Sequence, residues 1–361
     1  MDAIERYLKD PEKSYGLMSD CFVQILDPSA SQDSISKFLV HLHESRLDRK
    51  PDVITKAVEI LRKVALKWPI PEKGASQTHE DTLQTLTNSE TVCVDIVGTG
   101  GDGHNTFNVS TTAAIVAAGV AKVRVIKHGN KASTSSSGSA DILRSYGCNL
   151  LLNPTDIPAI SSPFLFLLAP IWNPALANVA LIRRQLKHPT IFNILGPLLN
   201  PAPIEARIIG VHSPELGPVF IESFSRLSPQ GRCMIVCGEE RLDEISPAGP
   251  TNIWTYDQIS GIQSSIIKPE DFGLRPHTLD SVKSGSPADN AKILGELLDG
   301  QMEIGHPILD YVLINCAALL KVSGIVEDYK KGVALALESV RSGAALNALN
   351  SFRDESKSAI R

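Results

Sequence analysis

Residues 92–111, VCVDIVGTGGDGHNTFNVST, constrain the fold more than any other stretch of the chain. Val92, Val94, Ile96 and Val97 are β-branched and read as a buried strand. The strand breaks into Gly98-Thr99-Gly100-Gly101-Asp102-Gly103, after which Asn108, Ser110 and Thr111 open an apolar, Ala-rich helix. Strand, glycine turn and helix N-terminus together can cradle a phosphate. Glycines let an anion approach the backbone, and the unpaired N–H groups of the first helical turn point at it. The spacing reads as neither a dinucleotide fingerprint nor a Walker A loop, and no Gly-Lys-Ser/Thr follows. A glycine turn alone fits a plain tight turn equally well.

Residues 123–139, VRVIKHGNKASTSSSGS, repeat the arrangement of strand, polar loop and helix. The loop carries Lys127, His128, Asn130 and Lys131, then a run of Ser and Thr. Short right-handed connections put both loops at one edge of a parallel sheet, facing one crevice. Further along, LLLNP (150–154) reads as a third short strand, and 174–186 as a helix with Arg183 and Arg184 near its end. ARIIGVHS, RCMIVCG and NIWTYD read as strands, with a helix over 216–227 between the first two. Helices are predicted over 290–298, 307–322 and 328–342. The fold class is therefore α/β, a mainly parallel sheet flanked by helices.

Ahead of the sheet, helices are predicted over 15–26, over 34–45 and from Pro51 onward, with no strand signal among them. Residues 1–90 thus read as a small all-helical domain and 91–361 as the α/β domain. The polar segment 72–91 reads as a flexible linker into the sheet.

Net charge is −5, with no basic tail or long Lys/Arg run, so nucleic-acid binding lacks electrostatic support. An acidic chain can still hold a polyanion where backbone dipoles and a metal supply the positive field. The six cysteines are scattered without a CxxC pair and read as reduced thiols. No signal-like apolar core opens the chain, and no apolar stretch is long enough to span a membrane. A cytoplasmic location is expected.

Taken together, GTGGD at 98–102, NxST at 108–111, KHGN at 127–130 and SGSAD at 137–141 resemble the anthranilate phosphoribosyltransferase family. The resemblance continues through IFNILGPLLNP at 191–201 and LDEIS at 242–246, so it covers most of the chain. It implies transfer of the phosphoribosyl group of phosphoribosyl pyrophosphate (PRPP) to the amine of anthranilate, in tryptophan synthesis. It also implies that the helical domain is discontinuous, completed by a segment near 170–200, and that two copies pair through it. A nucleoside phosphorylase of the same fold would lack KHGN and the acidic pair. A non-catalytic nucleic-acid-binding relative would show a basic face or a damaged motif.

The resemblance assigns Gly98, Gly101, Asp102, Thr106, Asn108, Ser110, Thr111, Lys127, Asn130, Lys131, Ser133, Ser135 and Ser139 to PRPP. Gly98, Asn130 and Arg183 fall to anthranilate, with Lys127 and Arg183 acting catalytically through electrostatics and positioning. On residue physics alone, Arg183 and Arg184 fit compensation of a helix dipole. Asp243 and Glu244 fit either a solvated turn or, with Ser110, a Mg²⁺ site, since hard oxygens suit an ion that shares its shell with phosphates. His128 is a candidate base or a residue that orients its loop. Four positions depart from the family pattern: Lys131 where arginine is usual, Ser136 where lysine is frequent, and Trp172-Asn173 where Tyr-His is frequent.

Overall fold

The computed structural model describes residues 2–69, 91–131, 138–186 and 188–359. The linker expected over 72–91 lies almost wholly outside the described residues, as do Ser133, Ser135 and Ser136.

A seven-stranded sheet runs in the order β3-β2-β1-β4-β5-β6-β7. Its strands are β1 (Val92–Gly98), β2 (Val123–Gly129), β3 (Phe164–Leu168), β4 (Ala206–Gly210), β5 (Arg232–Gly238), β6 (Thr251–Asp257) and β7 (Gly261–Ile267). The first five pair parallel, and β6 and β7 extend the sheet as an antiparallel hairpin. The chain leaves β1 toward β2 on one side, and β4 later takes the other side. The crevice at the carboxyl end of β1 is therefore the point where the strand order reverses, the place such sheets hold ligands.

The N-terminal helices are α1 (Ala3–Lys9), α2 (Met18–Ile25), α3 (Gln32–Glu44) and α4 (Pro51–Val64). Pro51 opens α4 without sacrificing a hydrogen bond. After β1 comes α5 (Val109–Ala118), apolar all round, as a helix buried on every side must be. Asn108 caps it, its Oδ1 accepting the Thr111 N–H at 3.3 Å. Then follow α6 (Ser139–Ser145), α7 (Ala169–Trp172), α8 (Ala177–Gln185), α9 (Phe192–Leu195) and α10 (Leu216–Leu227). The C-terminal helices are α11 (Pro287–Leu298), α12 (Pro307–Val322), α13 (Tyr329–Arg341) and α14 (Ala344–Ser358).

Two apolar cores lie on opposite faces of the sheet. One joins β1, β2 and β3 to α5, α6 and α11 through α14. The other joins α1 through α4, α8, α9 and α10 to Ile209, Cys233, Ile235 and Cys237 of β4 and β5. All six cysteines are buried and unpaired, as the scattered spacing predicts. No described helix is long and apolar enough to cross a membrane.

Residues 150–154 are not a strand. Leu150 and Leu152 are buried and Leu151 is exposed, which gives the strand-like alternation. The flanking asparagines, however, take the backbone donors locally: Asn149 Oδ1 accepts the Leu151 N–H and Asn153 Oδ1 the Thr155 N–H, each at 3.1 Å. The third parallel strand is β3, inside a stretch that sequence reading left without an element. Helices α1 and α14 and strand β7 were likewise not predicted.

Candidate active site

Glycines at the ends of β1 and β4 let the acidic loop close over the sheet. A Cβ at Gly210 would lie 1.5 Å from the Asp243 carbonyl oxygen, and one at Gly98 would lie 2.3 Å from Asp243 Oδ2. Gly100 and Gly101 both adopt positive φ. The turn so formed gives the Gly100 N–H to Asp243 Oδ2 at 2.6 Å. Asp102 lies against the same carboxylate, and burial together with that neighbour pushes Asp243 up to about 7. Burial and Asp243 also raise Glu244 well above the usual carboxylate range.

From β2, Lys127 reaches into the site fully buried. Its ammonium donates to the Ile96 carbonyl and to Ser110 Oγ, the latter at 3.3 Å. Burial pulls its pKa down, while Asp95 and Glu244 act in the other direction. The adjacent His128 is also buried. An amide nitrogen can only donate, so Asn173 Nδ2 at 3.2 Å makes His128 Nε2 an acceptor. The remaining ring N–H is held by the Gly196 backbone, and burial lowers the pKa to about 4. With Nε2 facing Asn173 and the other ring nitrogen held by the Gly196 backbone, His128 is placed to orient its loop. The departure at Asn173 supplies one of its two partners, and Trp172 stacks on Trp68 at 6.0 Å.

Helix α8 brings in Arg183. Its guanidinium lies 6.0 Å over the Phe192 ring. Its Nε is buried with no hydrogen-bond partner among the described residues, and burial lowers its pKa. Arg184, next in the chain, is exposed.

These elements enclose a cleft of about 330 Å³. Gly98, Gly101, Asp102, Thr106, Asn108, Ser110, Lys127, Asn130, Lys131, Ser139, Arg183, Asp243 and Glu244 all line it. Thr111 does not: its side chain is buried in the core, and only its backbone N–H meets the Asn108 cap. Asn193, Gly196 and Pro197 also line the cleft. His104 also lines the cleft, its Nε2 on the Glu240 carbonyl at 2.9 Å; an isolated histidine in a glycine loop gave no sequence signal for this.

Residues 98–103 do satisfy the G-x-G-x-x-G spacing as written. They differ from a dinucleotide site in that α5 begins only at Val109, well beyond the third glycine.

Residues 90–346 match the family model described as glycosyl transferase family, a/b domain. Anthranilate phosphoribosyltransferase of Schizosaccharomyces pombe is 49% identical over 331 residues, 91% of this chain and 88% of that protein. The chain belongs to the anthranilate phosphoribosyltransferase family. The Saccharomyces cerevisiae enzyme of that family, in complex with PRPP and Mg, superposes with a TM-score of 0.84 at 36% identity, covering 95% of this chain and 92% of that one. The same enzyme with 4-fluoroanthranilate gives 0.82 at 34% identity, covering 95% and 91%. The mainly parallel sheet with flanking helices is thus the fold of this family.

Proposed function

We infer that this chain transfers the phosphoribosyl group of PRPP to the amine of anthranilate, giving N-(5-phosphoribosyl)anthranilate and pyrophosphate, in tryptophan biosynthesis. One observation carries the reading: a single cleft joins a glycine turn, a helix N-terminus, a buried lysine, an acidic pair and an arginine whose Nε has no hydrogen-bond partner among the described residues.

PRPP occupies the side formed by the glycine turn, the start of α5, Lys127, Asn130, Lys131 and Ser139. The sugar carbon gains positive character as its bond to pyrophosphate breaks and the amine nitrogen bonds to it. Backbone N–H groups and the Lys127 ammonium stabilise the charge growing on the leaving group. Arg183 receives the anthranilate carboxylate, with Gly98 and Asn130 alongside. The aromatic amine is neutral and nucleophilic at pH 7, so it needs no deprotonation before it attacks, and the proton it then sheds leaves to water or to the departing pyrophosphate.

The acidic loop suits Mg²⁺. Asp102, Asp243 and Glu244 crowd negative charge into the cleft with no cation bonded to them among the described residues. Those residues form no cluster of three or more ligands complete enough to cage an ion. Hard carboxylate oxygens suit an ion which takes the rest of its shell from water and substrate phosphates. Asp243, Glu244 and Ser110 would hold it, and when bound it would neutralise the departing pyrophosphate.

The helical unit is residues 1–90 completed by the segment near 170–200, against an α/β unit over the remainder of 91–361. Pairing of two copies through those helices belongs to the same reading. Six buried, unpaired thiols fit a reducing compartment, and a cytoplasmic location belongs to the same reading. The decisive assay follows anthranilate fluorescence with purified protein. The signal should fall only when PRPP and Mg²⁺ are both present, and a stable signal under those conditions sinks the reading.

A further inference from the structure

Helix α12 carries no sequence motif, yet it touches the acidic loop at two places one turn apart. The Tyr311 hydroxyl donates to Glu244 Oε2. The Thr106 side chain, from the segment between the glycine turn and α5, is hydrogen-bonded to the same hydroxyl. Asn315 clamps the next residue of the acidic loop from both sides. Its Oδ1 accepts the Ile245 N–H and its Nδ2 donates to the Ile245 carbonyl, each at 3.2 Å. A third bond, from Nδ2 to the Tyr311 carbonyl at 3.0 Å, fixes the amide on its own helix. Both side chains are essentially inaccessible to solvent. Positions i and i+4 share one face of a helix, so one surface of α12 grips the loop. The same helix packs on α5, which presents Ser110, and on β4 and β5.

We propose that Tyr311 and Asn315 are positioning residues that hold Glu244 and the Ile245 backbone where the acidic loop takes its divalent cation. The proposal rests on the assignment of the cation to Asp243 and Glu244. A freely rotating Glu244 would have to be ordered at each binding event. A phenol on one oxygen and an amide on the following peptide remove that cost beforehand, as supporting partners do at metal sites generally.

The test measures Mn²⁺ binding by electron paramagnetic resonance in the presence of PRPP, alongside the Mg²⁺ dependence of turnover. Tyr311→Phe keeps the ring and its packing and deletes only the hydroxyl. It should weaken Mn²⁺ about tenfold and raise the Mg²⁺ needed for half-maximal rate by a similar factor. The maximal rate at saturating Mg²⁺ should largely recover, and the KM for anthranilate should stay unchanged. Asn315→Ser reaches the loop through an independent contact and should shift Mn²⁺ binding in the same direction. If both variants bind Mn²⁺ like the parent, whatever their melting temperatures, the two residues are structural only and the proposal is overturned. Glu244→Gln separates this from failure of the underlying assignment: unweakened Mn²⁺ binding in that variant means the cation sits elsewhere.

Discussion

Arg183 and Arg184 are neighbours in the chain and meet different surroundings, one in the cleft and one in solvent. Sequence alone offered dipole compensation for both. A rotation of ~100° per residue around a helix separates them, and the packing of α8 decides which one turns inward. A charge-assisted bidentate contact contributes roughly 1.5–3 kcal/mol, or about ten- to a hundredfold. Arg183→Ala should raise the KM for anthranilate by that factor and leave PRPP binding nearly intact, while Arg184→Ala should be close to silent. Steady-state kinetics on both variants check the register; a loss confined to Arg184→Ala would reverse it. His128 gives a second expectation at this scale. Its pKa is depressed from 6.5 to about 4 by burial. As pH falls from about 6.5 toward 4, the unfolded chain takes up a proton there that the folded chain refuses. Stability is therefore lost on acidification through that window, by on the order of 3 kcal/mol in full. In His128→Gln this part of the loss should vanish, so urea unfolding of the two proteins should differ less at pH 4.5 than at pH 7. An unchanged difference would mean that His128 titrates normally. The motifs named residues of the glycine turn and the acidic loop that the structure brings to one cleft. They could not reveal that Thr111 turns its side chain into the core, because one residue of register on α5 decides that.

At the scale of elements, periodicity located helices that bury one stripe and strands rich in β-branched residues. It failed where neighbouring side chains compete for the backbone. Asn149 and Asn153 turned a leucine run into a loop, while FLFLL, without alternation and between prolines, became β3. A strand buried on both faces has no alternation to read. The polar, exposed β7 was hidden for the opposite reason: its place follows from the turn after β6, where Asp257 Oδ1 accepts the Ile259 and Ser260 N–H groups. The importance of α12 was also invisible, since its apolar residues announce only burial. Gly332 of α13 packs tightly on it, so that a Cβ there would lie 2.9 Å from the Ala317 carbonyl oxygen. Gly332→Ala should force the two helices apart and cost about 1–3 kcal/mol, as overpacking does. Urea denaturation measures this, and an unchanged midpoint would show that the crossing has slack.

For the whole molecule, the sequence suggested a boundary near residue 90. The apolar core does not stop at it. Side chains of α1 through α4 share one continuous cluster with α8, α9, α10 and the outer face of β4 and β5. A chain ending after α4 would leave that surface uncovered, and a core so small rarely sustains a fold. A fragment of residues 1–69 should therefore show no cooperative thermal transition by circular dichroism, whereas the intact chain should. A sharp transition in the fragment would restore an autonomous N-terminal domain. Long-range closure of this kind leaves no local mark in the sequence, because the residues that complete the core arrive more than a hundred positions later.

The six buried thiols make the protein its own clock for opening. Cys21, Cys233 and Cys237 lie in the core beside the N-terminal helices, and Cys93, Cys148 and Cys316 in the core on the other face. Burial pushes the pKa of each one up, so none should react with a disulfide reagent while the fold is closed. Labelling under native conditions, read residue by residue in a mass spectrometer, should then date the opening of each face separately. PRPP with Mg²⁺, gripping the strand ends between the faces, should slow both sets of dates. If it slows only one set, the two faces of this sheet breathe independently.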